Sequence, residues 1–117
     1  MSRRPDRVGD AIHHAIAEML LREIKDPRIG MVTITGVRVS ADLRHARVFF
    51  SVIGDDAARA RSLAGLDSAR GYMRSHLSRH LKLRVAPEIQ FELDPSFEQA
   101  EAVSRLLRDE PENEPDE

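Results

Sequence analysis

The sequence predicts a single α+β domain in which a three-stranded sheet is backed by helices. Three observations carry that expectation: an amphipathic helical stripe near the N-terminus, two β-rich runs joined by a short polar link, and two helical stretches followed by a third alternating run. At 117 residues and 13.2 kDa the chain has the size of one domain. Its apolar share of 41% suffices for one core, and a chain of this length folds without a metal or disulfide staple. There is no cysteine, which excludes disulfide scaffolds, thiolate metal centres, iron–sulfur clusters and cysteine nucleophiles. No apolar run approaches the ~20 residues of a bilayer span. The opening MSRRPDRVGD is charged and lacks the apolar centre of a signal peptide. The expectation is a soluble, cytoplasmic protein without a membrane partner.

In residues 5–25, Val8, Ile12, Ile16, Met19, Leu20 and Ile24 recur at three- and four-residue steps, one stripe of an α-helix. Pro5 suits a first helical turn, Asp6 favours its positive end, and Pro27 stops continuation. Residues 26–30, DPRIG, read as a turn. Residues 32–39 are rich in β-branched side chains, with Val32 and Ile34 on one parity and Val37 and Val39 on the other. A switch of parity at Gly36 predicts a bulge there. Residues 45–53 alternate Ala46, Val48, Phe50 and Val52 against Arg47, Phe49 and Ser51, so the two runs form an antiparallel hairpin. Asp55 and Asp56 offer caps for a helix over 57–66. Residues 67–71 interrupt the pattern, a second helical stretch spans 72–83, and Pro87 closes it. Ile89, Phe91 and Leu93 mark a third strand over 88–94. The order is α-β-β-α-α-β, with the domain at 1–97, a C-terminal helix at 98–108 and an acidic, disordered tail at 109–117.

Charge is unevenly spread. The chain holds 18 Lys+Arg and 20 Asp+Glu, yet six of those acids lie in the last nine residues. Residues 1–108 therefore carry 18 bases against 14 acids, and all but Lys25 and Lys82 of the bases are arginine, whose rigid fork suits phosphate. Residues 69–87 contain no acid, but hold Arg70, Arg74, Arg79, Lys82 and Arg84 with His76 and His80. On a helical wheel, Gly71, Arg74, Ser75, Ser78, Arg79 and Lys82 fall on one half, and Tyr72, Met73, His76, Leu77, His80 and Leu81 on the other. A solvated helix face is the plain reading. An acid-free cationic stripe lined by serines also lets a sugar-phosphate backbone approach closely. Gly71 costs about 1 kcal/mol in a helix interior, so Ser68, Ala69 and Gly71 mark a kink, either a plain corner or one presenting N–H groups to an anion.

Other chemistry finds little support. His76 and His80 are spaced i, i+4 without a nearby acid or cysteine, His13 and His14 point apart, and no metal is expected. No phosphate loop, dinucleotide turn or nucleophile constellation is present, and aromatics make up only 4%; neither catalysis nor a cofactor is expected. Phe49 could stack on a base, although covering the sheet's second side is the simpler role.

The element order with a helix–glycine–helix corner resembles a type II KH domain. More closely, the chain resembles the ribosome-binding factor A family, bacterial factors that assist small-subunit assembly. The stretches that carry the resemblance are RRPDRVGDAIHHAIAEML with DPRIG, VTITGVRVSADLRHARVFFSV, and SARGYMRSHLSRHLKLRVAPEIQFELDPS. The last block combines Ala-x-Gly, a basic helix, Leu-Arg-x-x-Pro-Glu, a strand and Asp-x-Ser. In KH domains a Gly-x-x-Gly loop clamps the backbone; here the kink at 69–71 stands in its place.

The resemblance implies a non-catalytic, monomeric factor without cofactor. It implies binding to the immature 30S subunit through 16S rRNA and support for late maturation, including 5′-end processing of the rRNA precursor, especially in the cold. The RNA-binding residues expected are Arg70, Arg74, Arg79, Lys82 and Arg84, with the kink at Ser68, Ala69 and Gly71. Release by a further protein, a GTPase, is an expectation that no residue here carries. A generic KH-like module for single-stranded RNA and a protein-interaction domain with a basic face remain the alternatives.

Overall fold

The computed structural model describes residues 4–96 and 106–107, and its elements run α1 (Arg4–Arg22), β1 (Val32–Val39), β2 (His45–Val52), α2 (Asp56–Ser68), α3 (Arg70–His80) and β3 (Glu88–Leu93). The α+β class and element order are those the sequence predicts. The C-terminal helix and acidic tail lie outside the described residues, apart from Leu106 and Leu107.

The N-terminal stripe becomes the buried side of α1. Ile12, Ile16 and Met19 are fully buried, and Val8, Leu20 and Ile24 pack at the margin. Burial of the first three contributes roughly 2 kcal/mol each before the cost of ordering. Gly9 permits α1 to lie close on the sheet, because a Cβ there would stand 3.1 Å from the Val37 carbonyl oxygen.

Strands β1 and β2 form the expected antiparallel hairpin. Ile34 pairs with Phe50 and Gly36 with Phe49, so Thr35 is left over as the bulge. The bulge keeps Val32 and Ile34 on the same face as Val37 and Val39, which resolves the parity switch in the sequence. The Nε2 of His13 hydrogen-bonds the Ile34 carbonyl at 3.0 Å and ties α1 to this point.

Strand β3 pairs in parallel with β2, His45 opposite Glu88 and Phe50 opposite Leu93, giving the order β1-β2-β3. A parallel partner requires a long crossover, and α2 and α3 supply it. Asp55 caps α2 by accepting the Ala58 N–H at 2.9 Å, as the sequence predicts. Phe50 and Phe91 meet edge to face at 6.2 Å in the core, joined there by Leu66, Met73 and Leu77 from the crossover. The helices thus cover one sheet face, while Arg47, Phe49 and Glu92 share the other.

Candidate nucleic-acid interface

The kink is shorter than the sequence suggests. Asp67 and Ser68 remain helical, and the break is Ala69 alone, with φ −87° and ψ −2°. Its N–H reaches back to Gly65 and Leu66 carbonyls at 3.2 and 3.0 Å, and its own carbonyl accepts from Met73 N–H at 3.0 Å. Hydrogen bonding therefore passes nearly unbroken from α2 into α3, which is why no loop opens. Gly71 lies inside α3, where a Cβ would meet nothing within 4 Å. Ser68 has a role outside the helices: its hydroxyl accepts from Arg28 Nη2 at 3.0 Å.

Arg28 belongs to the turn at 26–30 and is missing from the sequence-based site. Its guanidinium binds Asp26 through two bonds of 3.1 and 2.7 Å, and that hydrogen bonding holds the Asp26 carboxyl below its ordinary value. Gly30 N–H donates to the buried Ser62 hydroxyl at 3.1 Å. The DPRIG motif is thus a clamp on α2 and on the last residue before the kink. A proline turn with an adjacent Asp–x–Arg was the available signal; the partner on α2 was not.

The five cations divide into two groups. Residues 69–87 indeed lack acids, but Asp67 and Glu88 flank them and reach in. Arg70 Nε lies 3.8 Å from an Asp67 carboxylate oxygen, and its Nη1 donates to the Ile89 carbonyl at 3.3 Å. Arg74 donates from Nε to the Pro87 carbonyl at 3.2 Å and from Nη2 to the Ala86 carbonyl at 3.3 Å, with Glu88 at 3.5 Å from Nη1. Asp67, Arg70, Gly71, Arg74 and Glu88 surround a cleft of about 250 Å³. Two guanidinium groups and two carboxylates balance there, so the cleft at the kink has no excess positive charge. The expectation of a free cationic face along all of α3 is corrected at Arg70 and Arg74.

The second group lies beyond the helix end. α3 stops at His80, not near 83 as predicted. Leu81 N–H makes the closing bond to the Leu77 carbonyl at 2.9 Å, and Lys82 follows in the left-handed region at φ 53°. Such a residue after the helix end reverses the chain, so Lys82 leaves the helical face on which the wheel placed it. Arg79, Lys82 and Arg84 are exposed, and none makes a hydrogen bond or ion pair among the described residues.

The opposite side of α3 packs more narrowly than the wheel implies. Met73 and Leu77 are buried, whereas Tyr72 is 47% exposed and His80 is exposed. The Tyr72 hydroxyl donates to Glu23, a bond that raises its pKa. His76 approaches Glu23 at 3.7 Å and stacks on His80 with ring centroids 4.0 Å apart. Among the described residues no three His, Asp or Glu side chains stand together as metal donors. Phe49 is half-buried under the Arg47 guanidinium, 5.2 Å from its ring centre, so the ring is not left open for a base.

Fold and site together define a small α+β protein with a one-sided sheet and a cationic end that makes no ion pair among the described residues. Comparison with known proteins narrows the class. The family model of ribosome-binding factor A matches residues 4–107, and the chain belongs to that family. It is 45% identical over 109 residues to ribosome-binding factor A of Geobacter metallireducens, covering 93% of this chain and 92% of that one. The solution structure of a Thermotoga maritima ribosome binding factor A candidate superposes with a TM-score of 0.71 at 32% identity, covering 79% of this chain and 88% of that one. A homology model of Thermus thermophilus ribosome binding factor A, fitted into a map of a 30S complex, matches with a TM-score of 0.59 at 25% identity over 72% of this chain and 88% of that one.

Proposed function

We propose that this protein binds the immature 30S subunit through the phosphate backbone of 16S rRNA, and supports late maturation, including 5′-end processing, without catalysing a reaction itself. The observation that carries the reading is a cationic end without an ion-pair partner among the described residues, on a member of the ribosome-binding factor A family, a relative of which was fitted into a map of a 30S complex. Arg79, Lys82 and Arg84 are its primary phosphate contacts; Arg70 and Arg74 contribute to it chiefly through the fold. The kink at Ala69, with Ser68 and Gly71 on either side of it, sets where α3 points. The protein acts in the cytoplasm as a monomer, and a GTPase promotes its release. Growth in the cold is the condition in which its loss is felt most.

Sedimentation with isolated small subunits tests the reading. Wild type co-sediments, with log affinity falling against log salt at a slope near −3 if roughly four phosphates are neutralised. Arg79→Glu with Arg84→Glu abolishes association and lowers the melting temperature by at most about 4 °C, the cost of an acid in the last turn of α3. Full binding by that double variant refutes the proposal.

A further inference from the structure

The backbone places a fourth exposed cation, Arg44, at the same end of the sheet as the first three. Arg70 touches β3 at Ile89, and Arg74, one turn later, touches residues 86–88. α3 therefore runs antiparallel to β3, and its next turn, with Arg79, overhangs the end of the sheet where β3 begins, about 7.5 Å further along. Because β3 is parallel to β2, that end is also where β2 begins, at the tip of the β1–β2 hairpin. Glu88 N–H donates to the Arg44 carbonyl at 2.8 Å, joining the loop at 81–87 directly to the hairpin tip.

The tip is built to hold Arg44 outward. Ser40 N–H bonds the His45 carbonyl and Leu43 N–H the Ser40 carbonyl, both at 2.9 Å, and Leu43 adopts φ 62°. Asp42 accepts from the Ser40 hydroxyl at 2.6 Å and from Arg44 N–H at 3.0 Å, and these bonds hold its carboxyl below the ordinary value. Of the acids at this end, Glu88 is shared with Arg74, whereas Asp42 keeps its negative charge beside Arg44, because the Ser40 hydroxyl and the Arg44 N–H that it accepts from are neutral. The Arg44 side chain is exposed and makes no hydrogen bond or ion pair among the described residues.

We infer that the polyanion surface is bipartite, with Arg44 at the hairpin tip as a phosphate contact alongside Arg79, Lys82 and Arg84. This rests on the rRNA-binding reading above and adds a residue to it. The loop at 81–87 is the span between the two parts, clamped from below by Arg74 and from the side by the Glu88–Arg44 backbone bond. RNA crossing this end of the sheet meets a cation from the hairpin and three from the α3 terminus, four positive charges against the Asp42 and Glu88 carboxylates among the described residues, the latter shared with Arg74.

The test measures binding of the full chain to isolated small subunits between about 50 and 200 mM salt for wild type, Arg44→Gln, Arg44→Lys, Arg79→Gln and, as a control on exposed α2, Arg61→Gln. Losing one phosphate contact makes the salt slope shallower by about 0.7–0.9, so the wild-type advantage shrinks roughly threefold across that range. The expected result is this loss for Arg44→Gln and Arg79→Gln, with Arg44→Lys and Arg61→Gln close to wild type in slope. A wild-type slope for Arg44→Gln beside a shallower one for Arg79→Gln overturns the bipartite surface while leaving the proposed function intact. Wild-type slopes for both overturn the function as well. Equal losses for Arg44→Gln and Arg61→Gln reveal only overall charge and also overturn the inference.

Discussion

Replacing Arg74 by alanine separates a cation that holds the fold from one that holds a ligand. The guanidinium donates to the carbonyls of Ala86 and Pro87 at 3.3 and 3.2 Å, and the side chain is 41% exposed. Hydrogen bonds to charged groups contribute about 1.5–3 kcal/mol each. These are long and partly solvated, so about 1 kcal/mol each is the appropriate scale, and the Glu88 contact at 3.5 Å adds little at such exposure. Arg74→Ala is thus expected to cost about 2 kcal/mol. For a domain of this size that lowers the melting temperature by about 8–10 °C. Arg74→Lys keeps the charge but loses the planar fork, and is expected to recover less than half of the loss. Arg79→Ala, which breaks no hydrogen bond or ion pair among the described residues, stays within about 0.5 kcal/mol of wild type. Thermal unfolding followed by circular dichroism measures all three. An Arg74→Ala protein melting within about 2 °C of wild type would refute the assignment of Arg74 to the fold.

Two glycines in the crossover should respond oppositely to alanine. At Gly71 a Cβ meets open space, so Gly71→Ala raises stability by up to about 1 kcal/mol through helix propensity; weaker binding to small subunits in the same variant would reveal close backbone approach by RNA at this point. At Gly65 a Cβ would lie 2.6 Å from Ile29 Cγ1, and overpacking of about 1–3 kcal/mol outweighs that gain, so Gly65→Ala melts lower than wild type. The Asp26–Arg28 pair gives a pH signature. Asp26 is depressed below 3.8 in the folded state by its hydrogen bonds to Arg28, so its stabilisation is present above that value and is lost as pH falls through the folded pKa. Asp26→Asn should therefore melt below wild type near neutral pH, with the gap closing on acidification; a gap constant with pH contradicts the clamp.

Much of this architecture is written in local pattern. The α1 stripe, the cap at Asp55 and the alternation in β2 and β3 each depend on residues a few positions apart. Even the bulge was legible, because Gly36 and the change of parity record it without any knowledge of the partner strand. The α2–α3 break was legible in place but not in extent: Asp67 and Ser68 favour turns on their own, yet Ala69 N–H finds helical carbonyls and the ladder carries on.

The sequence by itself determined the element order, the core stripes and an excess of arginine, because periodicity and composition are properties of near neighbours along the chain. Only the tertiary structure decided which arginines are available. Arg70 finds an acceptor on β3 and Arg74 in the loop before it, the chain reverses at Lys82, and Arg44, some 35–40 positions distant in sequence, comes to the same end of the sheet as that reversal. The physical reason is that a charge is neutralised through space and not along the chain. Where each guanidinium finds its partner depends on strand order and on the antiparallel run of α3 over β3, neither of which any local pattern encodes.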